Sequence, residues 1–212
     1  MNAPALPRVE VDRALARDVV LVDGGGTNIG SVRYALERLG IAAQLSADPA
    51  RIRAASHVIL PGVGAAAPGM ARLREAGLVE VVRALRQPLL GVCLGMQLLF
   101  EHSEEGDTAC LGLLPGTVRH IPQSRNVRVP HMGWNELRRE RDDALLDGIA
   151  DGAFAYFVHG YAAPLSGDTL ASAEHGARFS AVVRRGNVCG MQFHPERSAV
   201  CGARLLANFL AL

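Results

Sequence analysis

The segment Gly91-Val92-Cys93-Leu94-Gly95-Met96-Gln97 places a cysteine where a strand must break sharply into a helix. It follows the apolar run Pro88-Leu89-Leu90-Gly91-Val92, short enough for a buried strand. It leads into Met96-Gln97-Leu98-Leu99-Phe100, an apolar run that can continue as a helix. A tight strand–nucleophile–helix turn strains the backbone, and a Cβ two positions to either side would crowd it. Gly91 and Gly95 remove both obstacles. Such a turn lifts the sulfur out of the sheet and over a helix N-terminus, where free N–H groups and the helix dipole favour thiolate. Most cysteines of α/β cores are inert. The glycines and the strand-to-helix switch set this one apart.

A thiolate needs a base. The segment Gly190-Met191-Gln192-Phe193-His194-Pro195-Glu196 supplies one at the end of another apolar strand, roughly a hundred residues on. His194 and Glu196 are two apart, so in an extended segment both side chains leave on the same side. Pro195 biases His194 toward that extended conformation. A carboxylate beside an imidazole fixes its tautomer and stabilises the imidazolium, which completes a nucleophile–base–orienter set.

Together these two segments resemble the class I (triad) glutamine amidotransferases. The resemblance implies a γ-glutamyl thioester on Cys93, with His194 as base and then acid, and Glu196 as its orienter. A tetrahedral oxyanion needs two donors, and the backbone N–H of Leu94 is expected to be one. The second is expected from Leu60-Pro61-Gly62-Val63-Gly64, which follows the apolar run His57-Val58-Ile59-Leu60 at a strand's C-terminal end. The family's oxyanion strand maps onto Val63 and Gly64, and its glutamine-contacting side chain onto Gln97.

Three further segments resemble the glutaminase subunits of imidazole glycerol phosphate synthases. Val129-Pro130-His131-Met132-Gly133-Trp134-Asn135 holds the chain's only Trp beside a Gly and an amide, and Trp is favoured at interfaces. Tyr156-Phe157-Val158-His159-Gly160-Tyr161 matches a segment that lies over glutamine, with Gly160 in place of Ser. The stretch Val22 to Val32 matches the first strand and loop; it keeps Asn28 but has Gly24 for Tyr and Thr27 for Gly. The resemblance implies Gly160 and Tyr161 as glutamine contacts, and His131, Trp134, Asn135 and Asn28 as partner-interface residues. It implies a heterodimer with a (β/α)₈-barrel cyclase that receives the ammonia and forms imidazole glycerol phosphate and AICAR. It implies no cofactor and no metal in this chain. The alternative is the glutaminase subunit of another synthase, for anthranilate or pyridoxal phosphate; Pro130 to Asn135 speaks against it.

Composition excludes much else. The chain has 22 basic and 21 acidic residues for a net charge of +1, which marks no nucleic-acid binder. It contains no lysine, which removes the Walker A lysine, Schiff-base catalysis and Ser–Lys dyads. Four cysteines without a Cys-x-x-Cys pair suggest neither a zinc site nor a disulfide framework, and Cys110, Cys189 and Cys201 are read as core or surface thiols. No run reaches the ~20 apolar residues of a membrane span. A dinucleotide fold fails at Gly24-Gly25-Gly26-Thr27-Asn28-Ile29-Gly30, because neither register places glycines at positions one, three and six. A non-enzymatic module with a dead triad-like core is disfavoured, since all three catalytic residue types are present.

Residues 1–17 alternate Pro, Arg and acids without a signal-peptide core, and are read as a flexible extension of a cytoplasmic protein. Residues 18–212 are expected to form one domain. Val19 to Val22 is a first strand, and Val32, Leu36 and Leu39 mark a helix from about Ser31. A strand at Val58 to Leu60 precedes a helical region from Met70 to Leu85, divided at Gly77. Short β segments follow around Val118, Val127 and Leu137, then strands near Phe154, Leu170, Val182 and Val188, and a closing helix from Arg197 to Leu210. Glu101 to Thr108 is read as a solvated acidic loop. The pattern predicts an α/β three-layer sandwich with a mostly parallel central sheet and a strand-rich C-terminal half.

Overall fold

The computed structural model describes residues 18–24 and 29–212. The expected extension over residues 1–17 lies outside them. The chain opens with β1 (Val19–Val22), α1 (Ile29–Arg38), β2 (Gln44–Ser46), α2 (Pro49–Ala54) and β3 (His57–Gly62). It continues through α3 (Ala66–Glu75), α4 (Val79–Arg83), β4 (Leu89–Cys93) and α5 (Leu94–Leu98). Strands then dominate: β5 (Phe100–Ser103), β6 (Thr108–Ala109), β7 (Leu114–His120), β8 (His131–Arg139), β9 (Ala153–His159) and β10 (Tyr161–Ala162). Last come β11 (Thr169–His175), β12 (Ala177–Arg185), β13 (Val188–Met191) and α6 (Ala199–Leu210).

The main sheet runs β2-β1-β3-β4-β13-β12-β11-β8-β9. Its first five strands pair in parallel, and the remaining pairs are antiparallel. A smaller sheet, β10-β7-β5-β6, lies beside it. All four residues of β1 are buried, as expected of a strand covered on both faces. Val19 and Leu21 join a core with Leu36 of α1 and Phe209 of α6. Val20 and Val22 join a second core with Ile52 of α2, Met70 of α3 and Leu98 of α5. The alternation along one strand thus produces the three layers.

The expected elements are present, with four differences. The short pair β2 and α2 was not expected; Asp48 caps α2 through a 2.9 Å bond from the Ala50 N–H. The helix after Cys93 ends at Leu98, and Phe100 already belongs to β5. Val127 makes only an isolated bridge to Ser124. The acidic segment Glu101 to Thr108 is a β5–β6 hairpin rather than a loop. Gly77 does divide the helical region, at φ 66°. No helix among the described residues is long and apolar enough to cross a membrane.

One contact sets the geometry of the parallel half. A Cβ on Gly95 would stand 1.8 Å from the Leu60 carbonyl oxygen of β3, and one on Gly91 would stand 2.7 Å from the Gly95 backbone. Only glycines let α5 cross the ends of β3 and β4 this closely. Gly95→Ala is therefore expected to destabilise the fold by more than about 3 kcal/mol, read from urea midpoints. A loss below about 1 kcal/mol would contradict this packing.

Candidate active site

The C-terminal ends of β3, β4 and β13 lie side by side, where parallel sheets present their sites. Cys93 closes β4 with φ 53° and ψ −112°, a strained conformation for a side-chain-bearing residue. Gly62 pairs with Cys93 across the ladder, so Val63 and Leu94 leave the sheet together. On the other flank Met191 pairs with Val92, which brings the segment after β13 beside the cysteine.

His194 and Glu196 reach the same place by a route slightly different from the one expected. His194 is extended, at φ −92° and ψ 103°, but Pro195–Arg197 then forms a 3-10 turn. The turn still brings Glu196 Oε1 within 3.0 Å of His194 Nδ1. Cys93 lines the same pocket and interacts electrostatically with the His194 imidazole. Ser198 locks the segment: its hydroxyl donates to the His194 carbonyl at 2.7 Å and accepts from the Tyr156 N–H at 2.9 Å.

Burial pulls the His194 proton affinity down, but the bonds and charges of Cys93 and Glu196 outweigh it and push the pKa up to about 10. The imidazole therefore holds its proton at neutral pH, beside the sulfur. Burial pushes the thiols of the other three cysteines up, Cys110 and Cys201 to about 11 and Cys189 to about 12.

Cys93, Leu94, Val63, Gly64, Gln97, Gly160, Tyr161, His194 and Glu196 line one pocket of about 420 Å³. Gln97 Nε2 donates to the Tyr161 carbonyl at 2.8 Å and to Gln192 Oε1 at 3.0 Å, which leaves Oε1 for a ligand. A Cβ on Gly160 would meet only Val129, at an ordinary 3.5 Å, so the glycine is not sterically required. Among the described residues no group of three or more His, Cys, Asp or Glu side chains could hold a metal ion.

Several pocket residues were missed from sequence. Glu105, read as part of a solvated face, lines the pocket and accepts from the Ala66 N–H at 2.8 Å. It arrives from a hairpin whose position depends on long-range pairing, so no local pattern announces it. Gln192, inside the quoted histidine motif, is fully buried, and its Nε2 lies 3.8 Å from Cys93 Sγ. Ser31, Val158, His159 and Arg197 complete the lining.

The residues expected at a partner face divide. Trp134 is 52% exposed, and Met132 and Phe154 beside it on β8 and β9 are exposed too. Trp134 and Tyr156 are cross-strand partners, as are Met132 and Val158. This outer face therefore runs into the pocket at Val158. His131 faces the other way and is buried at 4% exposure, a correction to its expected place at the surface. The Asn135 amide is tied inward, donating to the Glu174 carbonyl at 2.8 Å. Asn28 lies outside the described residues.

The sequence model of the class-I glutamine amidotransferase family matches residues 20–212. The chain belongs to that family. Among named relatives, it is 63% identical over 195 residues to "Imidazole glycerol phosphate synthase subunit HisH" of Xanthomonas axonopodis pv. citri, a match covering 92% of this chain and 98% of the relative. It is 56% identical over 195 residues to the protein of the same name from Xylella fastidiosa (strain Temecula1), with the same coverage. Among solved structures, a glutamine amidotransferase crystal structure superposes with a TM-score of 0.70 at 25% identity, covering 91% of this chain and 97% of that one.

A proton bound more tightly in the folded chain stabilises the fold fully below the unfolded histidine value of 6.5, and no longer does so once pH has risen through about 10. The stability advantage of the parent over His194→Gln is thus expected to shrink across that interval, measured as urea midpoints at several pH values. An advantage that grows with pH would contradict the pairing.

Proposed function

We propose that this chain is the glutaminase subunit of an imidazole glycerol phosphate synthase, supplying ammonia to a (β/α)₈-barrel cyclase. The observation that carries this reading is the 63% identity to the named synthase subunit across nearly its whole length. The pocket supports it by bringing Cys93, His194 and Glu196 together, with Glu196 bonded to His194.

The chemistry follows from the placement of each group. Glutamine enters with its side-chain amide toward Cys93. The Glu105 carboxylate in the pocket wall suits its α-ammonium. The thiolate attacks the amide carbon, and the C=O π electrons move onto oxygen. The N–H groups of Leu94 and Val63, leaving adjacent strand ends, are assigned as the donors that stabilise this oxyanion. The His194 imidazolium gives its proton to the amide nitrogen, the C–N bond breaks, and ammonia departs from a γ-glutamyl thioester. Neutral His194 then takes a proton from water as the water attacks the thioester. Collapse of the second tetrahedral species expels the thiolate and releases glutamate. Glu196 holds His194 by Nδ1 throughout, which presents Nε2 to the reacting atoms.

The outer face of β8 and β9, with Trp134 at its centre, is assigned as the cyclase-docking surface because it runs into the pocket at Val158. A partner seated there would cover the pocket and receive ammonia without release to solvent. The chain is assigned to the cytoplasm, where its four free cysteines stay reduced.

In the reconstituted complex, Cys93→Ala is expected to abolish glutamine-dependent synthesis, by a factor of about 10⁴ or more, while leaving synthesis from added ammonium salt near the parental rate. Loss of both would contradict the role of ammonia donor.

A further inference from the structure

Between the glutamine pocket and the outer strands of the large sheet runs a chain of polar side chains that the chemistry above does not use. His131 and His159 are direct cross-strand partners on β8 and β9, and both are buried, at 4% and 6% exposure. His159 Nδ1 lies 2.8 Å from the Tyr161 carbonyl oxygen. His159 Nε2 lies 3.0 Å from His131 Nδ1, and His131 Nε2 lies 3.3 Å from Asn135 Nδ2.

The direction of every bond can be solved from either end. A carbonyl oxygen has no proton to give, so His159 Nδ1 must carry one. A neutral imidazole carries only one, so His159 Nε2 accepts and His131 Nδ1 donates. His131 Nε2 then accepts from Asn135. At the far end, the Asn135 amide is oriented independently: Nδ2 donates to the Glu174 carbonyl at 2.8 Å, and Oδ1 accepts from the Glu136 N–H at 2.8 Å. Starting from that end gives the same assignment. Burial, reinforced by neighbouring histidines, keeps both rings neutral by lowering His131 to about 4 and His159 to about 3. The His131 ring cannot tilt away, because it stacks on His175 at 4.2 Å and on Phe157 at 5.0 Å.

The pocket end of this chain matters. The Tyr161 carbonyl that receives His159 is the one that anchors Gln97, whose amide continues through Gln192 toward Cys93. If His159 took the opposite tautomer, that carbonyl would lose a donor. If it took a second proton, a new positive charge would stand near the His194 imidazolium, with which it already interacts. We propose that His131 and Asn135 are positioning residues for the glutaminase site: they fix His159 as the neutral Nδ1–H tautomer and so hold the Tyr161 carbonyl that anchors Gln97. The role in glutamine turnover rests on the glutaminase reading; the tautomers do not.

Two measurements test the proposal. Nitrogen–proton NMR on the full chain labelled with ¹⁵N-histidine is expected to show His131 and His159 protonated at Nδ1 alone. An Nε2–H tautomer at either ring would overturn it. His131→Asn and His131→Asp then compare side chains of nearly equal shape: the amide can donate to His159 Nε2, and the carboxylate cannot. Glutamine kcat/KM is expected to fall no more than about threefold for His131→Asn and about tenfold or more for His131→Asp. Equal losses would reduce His131 to packing and overturn the proposal. If His131→Asp fails to fold, the tautomers of the parent chain decide. If the parent chain shows no Cys93-dependent glutamine hydrolysis even in the reconstituted complex with the cyclase, the glutaminase reading is contradicted instead, and the NMR result still decides the relay.

Discussion

The approach of α5 to β3 is the constraint on which the rest of the site depends. With the Gly95 backbone against the Leu60 carbonyl, the chain after Cys93 must turn up and over the ends of the parallel strands. Cys93 is thereby held at positive φ, a strain of order 1–3 kcal/mol. Leu94, Met96 and Leu98, all buried just beyond it, contribute about 1.5–3 kcal/mol each, which outweighs that cost. The same crossing places Leu94 beside Val63, because Gly62 and Cys93 are already in register. One close contact thus arranges both the sulfur and the strand ends around it.

Charge around the sulfur follows from what surrounds each imidazole. His194 has a carboxylate on one side and the cysteine on the other, so it keeps its proton. His159 and His131 have a carbonyl, an amide and each other, so they do without a second one. These opposite shifts share the same desolvating burial; the difference lies in the partners. The site consequently holds one imidazolium where chemistry needs it, with neutral, direction-fixed hydrogen bonds behind it.

The parts of this arrangement carried by local pattern were legible in the sequence. Gly91 and Gly95 announced the turn at Cys93, and His194-Pro195-Glu196 announced a base with a nearby carboxylate. The apolar runs of β1, β3 and β4 announced buried parallel strands. What local pattern cannot express was missed. Glu105 looked like one charge among several until the β5–β6 hairpin carried it to the pocket. His131 sits next to Met132 and three residues before Trp134 on an exposed face, yet the strand alternation turns it inward, and only its cross-strand neighbour His159 explains why a polar ring is buried there. The helix after Cys93 was expected to run longer because Leu99 and Phe100 are apolar; they are spent instead on a core under the smaller sheet.

The most direct test of the account is to treat the folded chain with a glutamine analogue bearing a diazoketone in place of the side-chain amide, and to locate the adduct by peptide mass mapping. A single adduct on Cys93 is expected, suppressed by excess glutamine, with Cys110, Cys189 and Cys201 unlabelled. Labelling at one of those three while Cys93 stays free, or labelling that glutamine does not suppress, would contradict it.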